Sequence, residues 1–143
     1  MNAKALGYLS LARRARLIEA GEEPVGIACR AQHARLVVLA SDASEHAFRR
    51  VQSFTAGTKQ PWIKLDCTKD ELGDAIGYSA CAMAAFTDVR LALAFVKALE
   101  KPEKYADLLA DLEARAARAD QRQKEEKAHQ ANLRRGKKKS VKK

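Results

Sequence analysis

Apolar positions in the first hundred residues switch repeatedly between helical and extended spacing. Ala5, Leu9 and Ala12 fall at i, i+4 and i+7, which predicts an amphipathic helix ending near Arg14. Leu17–Ile18 leaves room only for a short strand. Gly21 opens a second helix with Val25, Ala28 and Cys29 inside; Pro24 is tolerated in its first turn, where amides have no helical partner. Leu36-Val37-Val38-Leu39-Ala40 is an uninterrupted apolar run rich in β-branched residues, the pattern of a strand buried on both faces. Asp42 or Ser44 caps a third helix carrying Ala47, Phe48, Val51 and Phe54 inward, and Gly57 closes that segment. Pro61 introduces a short strand, Trp62–Leu65.

Thr68-Lys69-Asp70-Glu71 has the spacing of a capping box, in which the Thr and Glu side chains each satisfy a free amide of the first turn. Leu72, Ala75 and Ile76 line the inner side of the helix it starts, and Gly77 stops it. Ala80–Phe86 is ambiguous: its alanines and methionine favour helix, while the flanking turns favour strand. Thr87 or Asp88 caps an apolar helix from Val89 to Leu99. Strands alternating with helices predict an α/β fold, a three-layer α-β-α sandwich around a four-stranded mixed sheet.

Pro102 begins a different kind of sequence. Tyr105, Leu108, Leu109, Leu112, Ala116 and Ala119 keep a helical stripe, predicting an amphipathic helix over 103–119 with a docking face. From Asp120 onward the stripe is gone. Residues 121–135 read as a solvated helix or a disordered stretch, and 136–143 as a disordered basic end. The expected organisation is therefore a domain over residues 1–100 and a basic extension over 101–143.

Charge sharpens that division. Residues 1–100 hold 13 Lys or Arg against 11 Asp or Glu, whereas residues 101–143 hold 14 against 7, so most of the net charge of +9 belongs to the extension. A basic arm on a near-neutral body suits a polyanion, usually nucleic acid; the alternative is a tail that only solubilises. Hydrophobic residues make up 47% of the chain, enough for a real core. No apolar run approaches the roughly 20 residues of a spanning helix, so no membrane segment is expected. The mildly apolar Ala5–Ala12 stretch lacks the strength and cleavage site of a secretory leader.

Catalytic and metal chemistry find no foothold. Cys29, Cys67 and Cys81 are widely spaced, form no CxxC pair and have no histidine at zinc-ligand spacing, so they read as reduced core thiols in the cytoplasm. Gly57-Thr58-Lys59 fails as a phosphate loop, because Gln52 and Gln60 stand where Gly and Ser or Thr are needed. There is no GxSxG elbow. His33 and His46 read as surface residues. Glu22–Glu23 and Asp70–Glu71 lie at helix starts, where the macrodipole favours acids without any catalytic role. No enzyme, metal, cofactor or small-molecule substrate is expected.

Four segments in order carry a resemblance. They are Leu11-Ala12-Arg13-Arg14-Ala15, Gly21-Glu22-Glu23-Pro24-Val25, Leu36 through Glu45, and Glu71-Leu72-Gly73-Asp74-Ala75-Ile76-Gly77. Together, over roughly residues 3–99, they resemble the ribosomal protein family of the L-seven-Ae and L-thirty-e type, above all its small bacterial YlxQ-like branch. The resemblance implies an α-β-α sandwich that binds structured RNA, ribosomal or kink-turn-like, in the cytoplasm, in company with ribosomal proteins.

It also implies an RNA surface. The helix after Gly21 would direct its N-terminus at the RNA, flanked by the loops at Ser41, Asp42 and Ala43 and at Gly77, Tyr78, Ser79 and onward to Cys81. Free amides and the helix dipole attract phosphates there. The chain departs from the best-known kink-turn binders, which carry Asn and Glu two and three residues after the Gly and Lys six after. Here Glu23, Pro24 and Ile27 stand, and Glu22 and Glu23 face the place where phosphates would come. Ionised glutamate only accepts hydrogen bonds. Arg13, Arg14, Arg16, Arg30 and Arg35 are the candidate compensating cations, able to grip phosphate with two bonds or stack on bases, or else ordinary surface arginines. Arg134, Arg135, Lys137, Lys138, Lys139, Lys142 and Lys143 would hold RNA without reading sequence. The competing reading is a protein adaptor that docks a partner through the Tyr105–Ala119 stripe; a weaker third is an RNA-substrate module serving a modifying enzyme.

Overall fold

The computed structural model describes the backbone of residues 1–141 and the side chains of residues 1–136. The chain runs α1 (Ala3–Arg14), β1 (Ile18–Ala20), α2 (Glu22–Arg30), β2 (Leu36–Leu39), α3 (Glu45–Thr55), β3 (Trp62–Lys64), α4 (Lys69–Ile76), β4 (Met83–Phe86), α5 (Val89–Ala98) and α6 (Ala106–Val141). The strands form one sheet in the order β1-β4-β2-β3. β2 and β3 are parallel, and β4 runs antiparallel to both β1 and β2. The α/β sandwich with a four-stranded mixed sheet is thus the architecture of the protein.

The two faces of the sheet are covered unequally. Ile18, Leu36, Val38, Ala84 and Phe86 turn toward α1, α4 and α5, in a core that also holds Leu9, Leu72, Ile76 and Phe95. Val37, Leu39, Met83 and Ala85 turn the other way, onto Val25 and Cys29 of α2 and Ala47 and Val51 of α3. The alternation is the two-residue period of a strand sandwiched between layers. Every residue of β2 and β4 is buried.

Local chemistry sets the helix starts. Asn2, Ser44, Thr68 and Asp88 each accept a bond from an amide of the first helical turn. Thr68 and Glu71 form the expected capping box. The ambiguous Ala80–Phe86 segment resolves into strand from Met83 onward: it lies between β1 and β2, so pairing on both edges overrides the helical preference of alanine.

α6 departs from expectation in both extent and use. It begins at Ala106 and continues to Val141, well beyond the apolar stripe. Arg, Gln, Glu, Lys and Ala dominate that continuation, and all are good helix formers; Gln121 Nε2 also bonds to Glu125 one turn on, at 3.1 Å. The stripe itself is spent within the chain. Tyr105, Leu112 and Ala116 are buried in the core shared with α5, with Leu108, Leu109 and Ala119 packed beside them. Lys97–Glu113 at 3.5 Å and Arg90–Asp120 at 3.3 Å flank the seam. The Tyr105–Ala119 stripe is therefore not open to dock a protein partner, as the adaptor reading expected: α5 already occupies it. No described helix is long and apolar enough to cross a membrane.

Candidate nucleic-acid interface

The antiparallel registers bring three distant segments to one end of the sheet. Ala20 pairs with Ala84, so Gly21 arrives beside Met83 and donates its N–H to the Met83 carbonyl at 3.0 Å. Leu39 also pairs with Met83, and the Ala40 N–H bonds to the Ala82 carbonyl at 2.8 Å. The start of α2, the start of α3 and the loop after α4 therefore converge on one apical cleft of about 280 Å³, lined by Gly21, Glu22, Ser44, His46, Tyr78 and Cys81, among others.

Gly21 makes the entry to α2 possible. Its φ is +98° and its ψ 163°, a region that a side chain strongly disfavours. No side chain caps this helix. Pro24 removes one of its first-turn N–H groups, so the amides of Glu22 and Glu23 remain as the donors without an intrahelical partner.

The loop opposite is fixed at both ends. The Tyr78 amide donates to the Gly73 carbonyl at 2.7 Å, and the Cys81 amide to the Lys69 carbonyl at 2.9 Å. Gly73 is essential to this approach: a Cβ there would stand 2.8 Å from both the Ala80 Cα and the Tyr78 carbonyl oxygen. The Tyr78 ring is left 44% exposed, with the Arg13 guanidinium 5.2 Å from its centre. Ser79, the next residue of the loop, is exposed.

Glu22 is not a free acid. Arg50 Nε donates to its carboxylate at 2.7 Å, and His46 Nε2 lies 3.3 Å from the same oxygen. Arg50 also stands 4.7 Å over the Phe54 ring. Arg50 and His46 are functional candidates that sequence reasoning missed. The helical position of Arg50 on α3 gave no hint of a partner 28 residues away. Glu23 and Arg30 join Glu22, Arg50 and Phe54 along the adjoining groove between α2 and α3.

Other proposed residues fall elsewhere. Asp42 is occupied in holding the fold, its Oδ1 accepting the Lys69 N–H at 2.7 Å; the Ser41 amide likewise bonds to the Cys67 carbonyl at 2.8 Å. They position the loops and do not line the cleft. Arg35 precedes β2 at the opposite end of the sheet, because Leu36 pairs with Phe86, the last residue of β4. Arg16 is near that end too, one residue before Leu17, whose carbonyl accepts from Thr87. Arg14 is exposed at the close of α1. Arg134 and Arg135 are exposed on α6, whereas the side chains of Lys137, Lys138, Lys139, Lys142 and Lys143 lie outside the described residues.

The cleft holds no reactive thiol. Burial pushes Cys81 and Cys29 upward and Cys67 up to about 11, so all three are protonated at neutral pH. Among the described residues there is also no cluster of His, Cys, Asp or Glu able to hold a metal.

Comparison with known proteins agrees with this architecture. No protein-family model matches the chain. It is 34% identical over 92 residues to the RNA-binding protein YlxQ of Bacillus subtilis, a match spanning 64% of this chain and 91% of that protein. A solved protein of unknown function from Bacillus halodurans superposes with a TM-score of 0.59 at 31% identity, covering 66% of this chain and 98% of the other. The 15.5kD RNA binding protein of Giardia lamblia superposes with a TM-score of 0.57 at 18% identity, covering 73% and 92%, a likeness of fold.

Proposed function

The chain belongs to the L-seven-Ae and L-thirty-e family, in its YlxQ-like branch, and from that membership we propose that it is a non-enzymatic, cytoplasmic RNA-binding protein of the translation machinery. Its target is a folded RNA, ribosomal or kink-turn-like. In this reading residues 1–100 are the recognition domain, and the basic extension over 101–143 adds affinity without reading sequence.

The meeting of Tyr78 with the start of α2 on one cleft, with the Arg13 guanidinium 5.2 Å from the centre of that ring, carries the proposal. An extruded base stacks on the exposed Tyr78 ring, with the Arg13 guanidinium beside it. RNA recognition favours such unstacked bases on aromatic or guanidinium planes. The Glu22 and Glu23 amides face the backbone, where the helix dipole favours an anion. Arg50 bears on half of the objection in the sequence, because it donates a hydrogen bond to the Glu22 carboxylate, with His46 Nε2 3.3 Å from the same oxygen; Glu23 makes no ion pair among the described residues. The loss of the Asn and Lys of the best-known binders shifts recognition from base-edge donors toward stacking and backbone amides.

The experiment is the affinity of the full chain for a kink-turn RNA and for a plain duplex of equal length. A preference of tenfold or more for the kink-turn, about 1.4 kcal/mol, that Tyr78→Ala abolishes supports the reading. Equal affinity for both RNAs overturns recognition of the bend.

A further inference from the structure

Among the described residues, a second concave surface is larger than the apical cleft. It is a groove of about 490 Å³ at the opposite end of the sheet, where α6 crosses the lower edge of the domain. Its lining is unusual in sign. Arg35 and Lys59 come from the domain and Arg115, Arg118 and Arg122 from α6, over a floor that includes Val89 and Ala119. Asp111 is the sole carboxylate among the lining residues, and it is committed to Arg115 at 3.0 Å.

The helix geometry makes this a stripe. Residues 111, 115, 118 and 122 lie at i, i+4, i+7 and i+11, along one side of α6. Arg115 is the anchor: besides Asp111 it donates to the Lys59 carbonyl at 2.5 Å, tying α6 to the loop before β3. Arg118, Arg122 and Lys59 are exposed and Arg35 is half-buried. Among the described residues none of these four makes an ion pair, although Lys97 and Arg90 on the neighbouring seam are each matched by an acid of α6. Four unmatched cations around one groove repel one another, an arrangement an anion relieves.

We propose that this basal groove is a second RNA contact, one that takes the phosphodiester backbone and is separate from the apical cleft. Guanidinium groups on a fixed helical stripe grip successive phosphates with paired hydrogen bonds. The groove is open and holds no exposed aromatic ring, so it reads backbone and not bases. α6 supplies three of its five cations, and the family resemblance ends before α6 begins, so the site is a property of this chain's extension. The inference rests on RNA being the partner but not on the apical cleft or on any preference for a bend.

The test measures binding of the full chain to the same plain RNA duplex and kink-turn RNA across a salt series. The groove variant is Arg35→Gln with Arg118→Gln and Arg122→Gln, which leaves the Arg115 anchor in place. A charge-matched control is Lys4→Gln with Lys64→Gln and Lys104→Gln, exposed cations outside the groove. Circular dichroism and the urea midpoint establish that both fold. The groove variant is expected to weaken both RNAs by tenfold or more at low salt and to flatten the salt slope by about 2 to 3. The ratio between the two RNAs is expected to stay unchanged. If the control shifts affinity and slope as much as the groove variant does, only general charge is at work and the site is overturned. A kink-turn preference lost in Tyr78→Ala but kept in the groove variant leaves both readings standing. Equal wild-type affinity for the two RNAs, with a groove effect, removes the apical reading alone. Absence of wild-type binding to either RNA overturns both.

Discussion

Arg50 of α3 holds the carboxylate of Glu22 at the first turn of α2, donating through Nε across 2.7 Å. The pair joins the two helices on one side of the sheet at the mouth of the cleft. Both side chains are 43% exposed, so the bond contributes little to stability, about 0–1 kcal/mol. Its value is to direct charge. Arg50→Gln is expected to release a free carboxylate at the cleft and weaken RNA binding several-fold, while Glu22→Gln strengthens it. Urea midpoints should scarcely move for either. A binding loss matched by an equal loss of stability in Arg50→Gln would show that the residue only supports the fold.

The Tyr78 ring is 44% exposed, enough to meet a base in the proposed complex. Tyr78→Ala is expected to cost about 1–3 kcal/mol of affinity for a kink-turn RNA, the usual worth of one base–aromatic stack. Tyr78→Phe should keep most of it. Titration by fluorescence anisotropy checks both, and equal losses in the two variants would assign the effect to the hydroxyl.

Gly73 has no room for a methyl group. A Cβ would meet the backbone at Tyr78 and Ala80 within 2.8 Å, and backbone cannot swing aside as a side chain does. Gly73→Ala is expected to destabilise the domain by about 1–3 kcal/mol and to displace the loop bearing Tyr78. Urea denaturation gives the first quantity, and the NMR chemical shifts of residues 77–81 give the second. An unchanged midpoint would contradict the close approach.

Leu112 is fully buried where α6 meets the body. Leu112→Ala is expected to cost about 2–5 kcal/mol, and limited proteolysis should then cut within α6 sooner than in the rest of the chain. Wild-type protease resistance would mean that the flanking ion pairs hold the helix without the leucine.

Cys67 links stability to alkaline pH. Its folded thiol titrates near 11 against an ordinary 9.0, because burial opposes the thiolate and the Glu71 carboxylate adds to the effect. The unfolded chain therefore releases this proton first as pH rises. The stabilising term is whole below about 9 and is lost as pH climbs toward 11, amounting to about 3 kcal/mol. Cys67→Ala should show a shallower decline of the urea midpoint over that interval than the wild type. Identical declines would exclude the thiol as the cause.

Where structure follows from neighbours in the chain, the sequence is readable. The Thr68–Glu71 capping box, the Ser44 cap and the buried run of β2 are each settled within a few residues. The convergence of Gly21 with Tyr78 was accessible only through the family resemblance, since it depends on which strands pair. The role of Ala80–Phe86 and the partnership of Glu22 with Arg50 are decided by tertiary packing, to which spacing is blind. Arg35 is the converse case: it stands close to α2 in sequence, yet α2 runs the length of the sheet and delivers its two ends to different surfaces. The basal groove was illegible because it exists only once α6 has chosen its crossing over α5.

Beyond its docked turns α6 continues as a single exposed helix, and Arg134 lies fifteen residues past Ala119, about 22 Å further along the axis. A slack tether of that length would let its charges wander through a sphere and meet any phosphate within it. A stiff rod instead behaves as a set square: its root at Leu112 and Ala116 dictates a bearing, and Arg134 and Arg135 are carried out along it. If RNA is held at the body, it would meet those charges at one distance and one angle, and the extension would answer to the RNA's shape as well as attract it.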